Sequence, residues 1–120
     1  MKIAVSATGQ GKENQLDRRF GRCEYFLIYN TETEEYKAVR NNGESSGGGA
    51  GIAAASQVID ENVSVLITGN LGPNAFELLE KAGIKAYSCE ILPVFRSIER
   101  FRNDQLAAIS SSGSSHQGMK

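Results

Sequence analysis

The sequence predicts an α/β domain: a mixed five-stranded sheet with helices on both faces, three layers in all. Three observations predict it. The patterned segments run strand, strand, strand, helix, strand, helix, strand, helix, which is a hairpin start followed by βαβ units. Val63-Ser64-Val65-Leu66-Ile67-Thr68 is an almost unbroken apolar run, as in a central strand buried on both faces. Pro73 and Gly83 bracket a helical stripe at the positions where proline opens a helix and glycine closes one.

Taken in order, residues 2–6 form a short buried strand, and residues 7–22 form a polar loop with no period. A loop of that length in a compact domain is commonly functional. Residues 23–29 are the second strand, rich in aromatic and β-branched side chains. After the polar turn 30–34, residues 35–40 alternate polar and apolar and pair with it as a hairpin edge. A second loop, 41–51, ends Ser45-Ser46-Gly47-Gly48-Gly49-Ala50-Gly51 and leads into an alanine-lined helix from about Ala50 to Glu61, with Asn62 as its left-handed stop. Strand four, 63–68, is followed by the tight loop 69–72. The next helix carries its apolar stripe on Ala75, Phe76, Leu78, Leu79 and Ala82. Residues 84–88 make strand five. Pro93 opens a last helix bearing Val94, Phe95, Ile98 and Phe101. From Ser110 the chain is Ser/Gly-rich, so one domain at 1–109 and a disordered tail at 110–120 are expected.

Right-handed crossovers then predict spatial order 3-2-1-4-5, with strand 2 antiparallel to the rest. That order resembles a ribonuclease H type of sheet. It gathers the 7–22 loop, Cys23, the 41–51 loop, residues 69–72 and residues 89–93 on one rim. Strands 1 and 4 are neighbours whose connections leave in different directions, the switch point where open α/β sheets bind ligands.

The chain has 120 residues, 40% hydrophobic and 22% charged, with net charge −1. This is one ordinary domain, large enough to bury a core without staples. The balance of charge gives no electrostatic case for nucleic acid or an anionic membrane. No apolar run reaches the ~20 residues needed to span a bilayer. Met1-Lys2 leads straight into a strand, so a cytoplasmic location is expected. Cys23 and Cys89 are then thiols rather than a disulfide.

The chemistry converges on the rim. The helix after the glycines aims free N–H groups at the crevice and favours an anion. Arg18, Arg19 and Arg22 add positive charge, and Gly47, Gly48, Gly49, Gly51 and Asn70 line the loops. Cys23 and Cys89 are candidate metal or cluster ligands. Arg19 and Arg22 beside Cys23 are expected to lower its pKa, since thiolate is the ligating form. Two thiolates alone make an incomplete site, and His116, the single histidine, is a candidate further ligand from the tail. Gly49-Ala50-Gly51-Ile52-Ala53-Ala54 formally fits G-x-G-x-x-A, but strand four ends in Thr68-Gly69, not in an acid that would hold a ribose. The alternative reading is a small-anion or nucleotide-binding regulatory module using this loop. A catalytic reading finds no histidine outside the tail for a Ser/His or Cys/His pair, and strand one carries no acid for two-metal nuclease chemistry.

The stretch Asp17-Arg18-Arg19-Phe20-Gly21-Arg22-Cys23-Glu24-Tyr25-Phe26, the glycine loop, Val65-Leu66-Ile67-Thr68-Gly69-Asn70-Leu71-Gly72 and Ala82-Gly83-Ile84-Lys85-Ala86-Tyr87 together resemble a known family. It is the dinitrogenase iron–molybdenum cofactor biosynthesis domain, of the NifX and NifB C-terminal type, and the likeness runs from about Met1 to Leu106. The resemblance implies an α/β/α domain with a ribonuclease H-like motif. It implies a carrier or chaperone, not a catalyst, that binds an iron–sulfur or iron–molybdenum cofactor precursor cluster. Its partners would be the donor and acceptor proteins of cofactor assembly. The family usually has a small residue where this chain has Cys23.

Overall fold

In the computed structural model, which describes residues 1–43 and 49–110, β1 (Lys2–Ala7) lies inside the sheet and is buried along almost its whole length. It pairs antiparallel with β2 (Tyr25–Asn30), Lys2 opposite Asn30, and parallel with β4 (Val65–Thr68), Ile3 opposite Val65. β3 (Glu35–Arg40) pairs antiparallel with β2, and β5 (Lys85–Ser88) pairs parallel with β4. The order 3-2-1-4-5 with an antiparallel second strand is therefore present. A sixth strand extends it: β6 (Ala107–Ala108) pairs antiparallel with β5, giving β3-β2-β1-β4-β5-β6.

Among the described residues, three helices cover the sheet. α1 (Ala50–Asp60) and α2 (Pro73–Lys81) pack on one face, where Ala54, Ala55, Val58, Ala75 and Leu79 meet Ala4, Phe26, Ile28 and Leu66. α3 (Val94–Arg102) packs on the other, where Val94 and Ile98 meet Ile3, Val5, Leu27 and Ile67. The split follows the period of two along each strand. Asn62 and Gly83 both take positive φ at the ends of the first two helices, as their residue types favour.

The first long loop is shorter in effect than its sequence suggests. Ala7 bridges Leu16, Thr8 N–H donates to Gln15 O at 3.0 Å, and Gln15 bridges Pro93. A 3-10 turn, Phe20–Arg22, then precedes β2. Cys23 sits in extended backbone just after that turn, two residues before the strand it was expected to open. None of the described helices is long and apolar enough to cross a membrane.

Candidate functional site

Residues 17–23 form an arm laid across the strand ends at the switch point. Asp17 N–H donates to Ser6 O at 2.8 Å, and Ser6 Oγ–H donates to Asp17 O at 2.6 Å. That uses the single hydroxyl proton of Ser6. Thr68 must therefore be the donor in the 2.8 Å Ser6–Thr68 contact between β1 and β4. Farther along, Arg19 bridges Asn70, and Asn70 N–H donates to Arg18 O at 3.2 Å. The backbones pass so closely that a Cβ on Gly69 would lie 2.3 Å from Arg18 Cβ, so only glycine is accommodated. Gly21 sits against the first turn of α1, where a Cβ would lie 3.0 Å from Gly51 N.

The arm's charges are not equivalent. Arg19 donates from Nε and Nη2 to the two oxygens of the largely buried Asp17 carboxylate, at 3.0 and 2.8 Å, and from its backbone N–H at 2.9 Å. These bonds hold the Asp17 carboxyl below the usual range against the opposing effect of burial. The Arg19 side chain is still 71% exposed. Arg18 reaches the other way, its Nη1 donating to Cys89 O at 2.5 Å. Arg22 is exposed on the 3-10 turn.

All three described helices begin at this edge of the sheet, but their first turns are met differently. α1 starts from Gly49 and α2 from Gly72, neither with a side-chain cap among the described residues. The first-turn amides of Val94 and Phe95 in α3 donate to Asn14 O and Lys12 O at 2.9 and 3.1 Å. The 8–15 loop thus satisfies first-turn donors of α3.

Of the residues singled out in the sequence, Arg18, Arg19, Arg22, Cys23, Gly49, Gly51 and Asn70 do share one rim. Gly47, Gly48 and His116 lie outside the described residues, as does the tail beyond Ser110. The two thiols are not brought together: Cys23 is buried in the cluster under α1 and α2, Cys89 in the cluster under α3. The expected lowering of the Cys23 pKa is reversed. Burial pushes its thiol up to about 12, and burial likewise raises Cys89. After burial, the negative charge of Asp17 also pushes the Cys23 thiol up, while the Asn41 side-chain amide acts the other way. The Cys23 sulfur instead donates to Phe20 O at 3.3 Å. Among the described residues no group of three or more His, Cys, Asp or Glu side chains is placed to hold a metal ion. A cavity of about 350 Å³ between α2 and β6, lined by Phe76, Leu79, Ile84 and Ile109, includes none of these rim residues.

Asn41 and the Ser6–Thr68 pair are parts of the rim that the sequence does not single out. Asn41 is a buried polar residue in a segment that reads as loop.

Residues 1–104 match the family described as dinitrogenase iron-molybdenum cofactor. The chain is similar to the orange protein of Desulfovibrio gigas, solved in an apo form, with 35% identity, 94% of this chain and 96% of that one covered, and a TM-score of 0.90. It is similar to a Thermotoga protein of the DUF35 family, with 30% identity, 96% and 98% covered, and a TM-score of 0.84. An uncharacterized protein of Methanocaldococcus jannaschii is 30% identical over 109 residues, 88% of this chain and 89% of that one.

Proposed function

We propose, from the premise that the chain belongs to the dinitrogenase iron-molybdenum cofactor family, that it is a non-catalytic cytoplasmic carrier of an iron–sulfur or iron–molybdenum precursor cluster. The cargo passes between a donor and an acceptor protein of cofactor assembly. One observation carries this reading: the α1 and α2 N-termini meet an arginine-bearing arm at the switch point, with no side-chain cap on either helix among the described residues. Metal–sulfur clusters with thiolate or sulfide ligands are anionic. N–H donors and guanidinium groups hydrogen-bond their sulfurs and lower their charge. Likeness to a protein solved in an apo form, and so one that takes a bound group, supports the same reading.

The donor set fits a cluster held by its outer sulfurs better than one ligated by this chain. Arg19 and Arg22 and the Gly49–Gly51 and Asn70 backbone form the grip. Arg18 braces the arm from behind through Cys89 O. For Cys23 to ligate, its thiol must leave Phe20 O and lose a proton that burial holds strongly.

Anaerobic reconstitution with ferrous iron, sulfide and molybdate, followed by visible absorption after desalting, tests the proposal. Bands that persist in the wild type and in Cys23→Ser, and fade in Arg19→Ala/Arg22→Ala, are expected. No bands in the wild type would overturn the carrier reading. If metal-free, reduced protein is then stabilised by phosphate or nucleotide in thermal-shift measurements, the rim belongs to a small-anion regulatory module.

A further inference from the structure

We infer that Asn41 is the positioning residue of this rim, its side-chain amide fixing the arginine arm against the start of the glycine loop so that both face the same cargo. The inference rests on the carrier reading above. Asn41 follows β3 and is 2% exposed. Its Nδ2 donates to Cys23 O at 2.8 Å and to Gly21 O at 3.3 Å, and lies 3.7 Å from Cys23 Sγ. Its Oδ1 accepts from Gly43 N–H at 2.9 Å, and its own backbone N–H donates to Glu24 O at 3.0 Å. One side chain thus fastens the arm on one side and the loop on the other.

The residue type is dictated by that geometry. An amide carries a donor end and an acceptor end, and both are used. An aspartate would turn a second acceptor toward two carbonyl oxygens. An alanine would leave those carbonyls and the Gly43 N–H without these partners in a buried place. The joint also has little slack. Gly21 and Gly43 are the points where arm and loop touch α1: a Cβ on Gly43 would lie 2.9 Å from Ala50 O, and one on Gly21 3.0 Å from Gly51 N. A shift of the arm therefore moves Arg19 and Arg22 relative to the N–H groups of α1. Asn41 itself is sealed beneath them and acts through them.

The test compares Asn41→Ala, Asn41→Asp and the milder Asn41→Ser with Gln57→Ala. Gln57 pins the same loop from outside, through Arg40 O and Asn42 N–H, without touching the arm. Amide hydrogen exchange on metal-free protein reads the joint. Cluster retained after reconstitution with ferrous iron, sulfide and molybdate reads the cargo. In Asn41→Ala, exchange over residues 18–23 should rise about tenfold or more, with β1 and β4 unchanged and retained cluster falling by about the same factor. Asn41→Ser should be intermediate, and it carries the test if Asn41→Ala or Asn41→Asp does not fold. Gln57→Ala should change neither. Unchanged exchange over 18–23 in both Asn41→Ala and Asn41→Ser would overturn the inference, whether or not the wild type takes up cluster. Loosened exchange in a protein whose wild type takes up no cluster would uphold the joint and overturn the carrier reading alone.

Discussion

The two faces of the sheet treat their helix beginnings in opposite ways. On the α3 face, the chain folds its own loop back and places Lys12 and Asn14 carbonyls on the first-turn amides. On the α1/α2 face, Gly49 and Gly72 start their helices without a side-chain cap among the described residues, and the neighbouring arm brings arginines. Topology sends all three helix starts to one edge; at α3 the loop that follows β1 occupies the first-turn amides. The thiols follow the same division, one beneath each face.

The largest break in this comparison is expected from Gly69→Ala, where the new methyl meets the Arg18 backbone. Overpacking of this kind costs about 3 kcal/mol, read as a shift in urea midpoint. Gly72→Ala, with nothing within 4 Å of its Cβ, should stay within about 0.5 kcal/mol.

Alkaline unfolding sharpens the contrast between the thiols. The Cys23 pKa is raised, to about 12 from 9.0, so its stabilising contribution is complete below pH 9. Above pH 9 the unfolded chain ionises first, and stability falls by about 1.4 kcal/mol per pH unit until the folded thiol titrates near 12. In Cys23→Ala this slope should flatten, although the variant begins less stable. Tyr36, also raised to about 12 from 10.0, adds to the wild-type slope from pH 10 upward. Cys89→Ala reports the corresponding dependence under α3.

A smaller effect is expected at Asp17. Its pKa is lowered by Arg19, so the stabilisation is present at neutral pH and lost as pH falls through the folded value. Asp17→Asn should lose about 1–2 kcal/mol at pH 7, and the gap from the wild type should narrow below about pH 4. Smallest of all, Lys37→Ala removes a 2.9 Å ion pair with Glu61 at the exposed sheet edge. It should change stability by no more than about 0.5 kcal/mol.

What the sequence discloses follows from where its signals come from. The central strands are legible because burial on both faces demands unbroken apolar residues, as in Val65-Leu66-Ile67. Helix ends are legible where Asn62, Pro73 and Gly83 have local backbone preferences. β6 is not, because Ala107-Ala108 has no pattern of its own and exists as a strand only through β5. The shared rim is legible from strand order alone. Its inner wiring is not: Arg19 turning to Asp17, Arg18 turning to Cys89 O and Asn41 joining two loops are tertiary contacts that no spacing announces. The burial of Cys23 belongs with them, because its sulfur is met by Phe20 O from within the arm and by the Asn41 amide from beyond it.

The parallel pairing of β1 with β4 bears on how the chain assembles. Ile3 finds its antiparallel neighbour Tyr29 once β2 has emerged, but its other side waits for Val65. Contacts so distant along the chain set the pace of folding, and until they form a nascent meander of β1, β2 and β3 shows a bare, greasy flank to its surroundings. This inner strand is synthesised before its parallel partner and completed only when that partner arrives, which makes the interval between those two events a period of aggregation hazard.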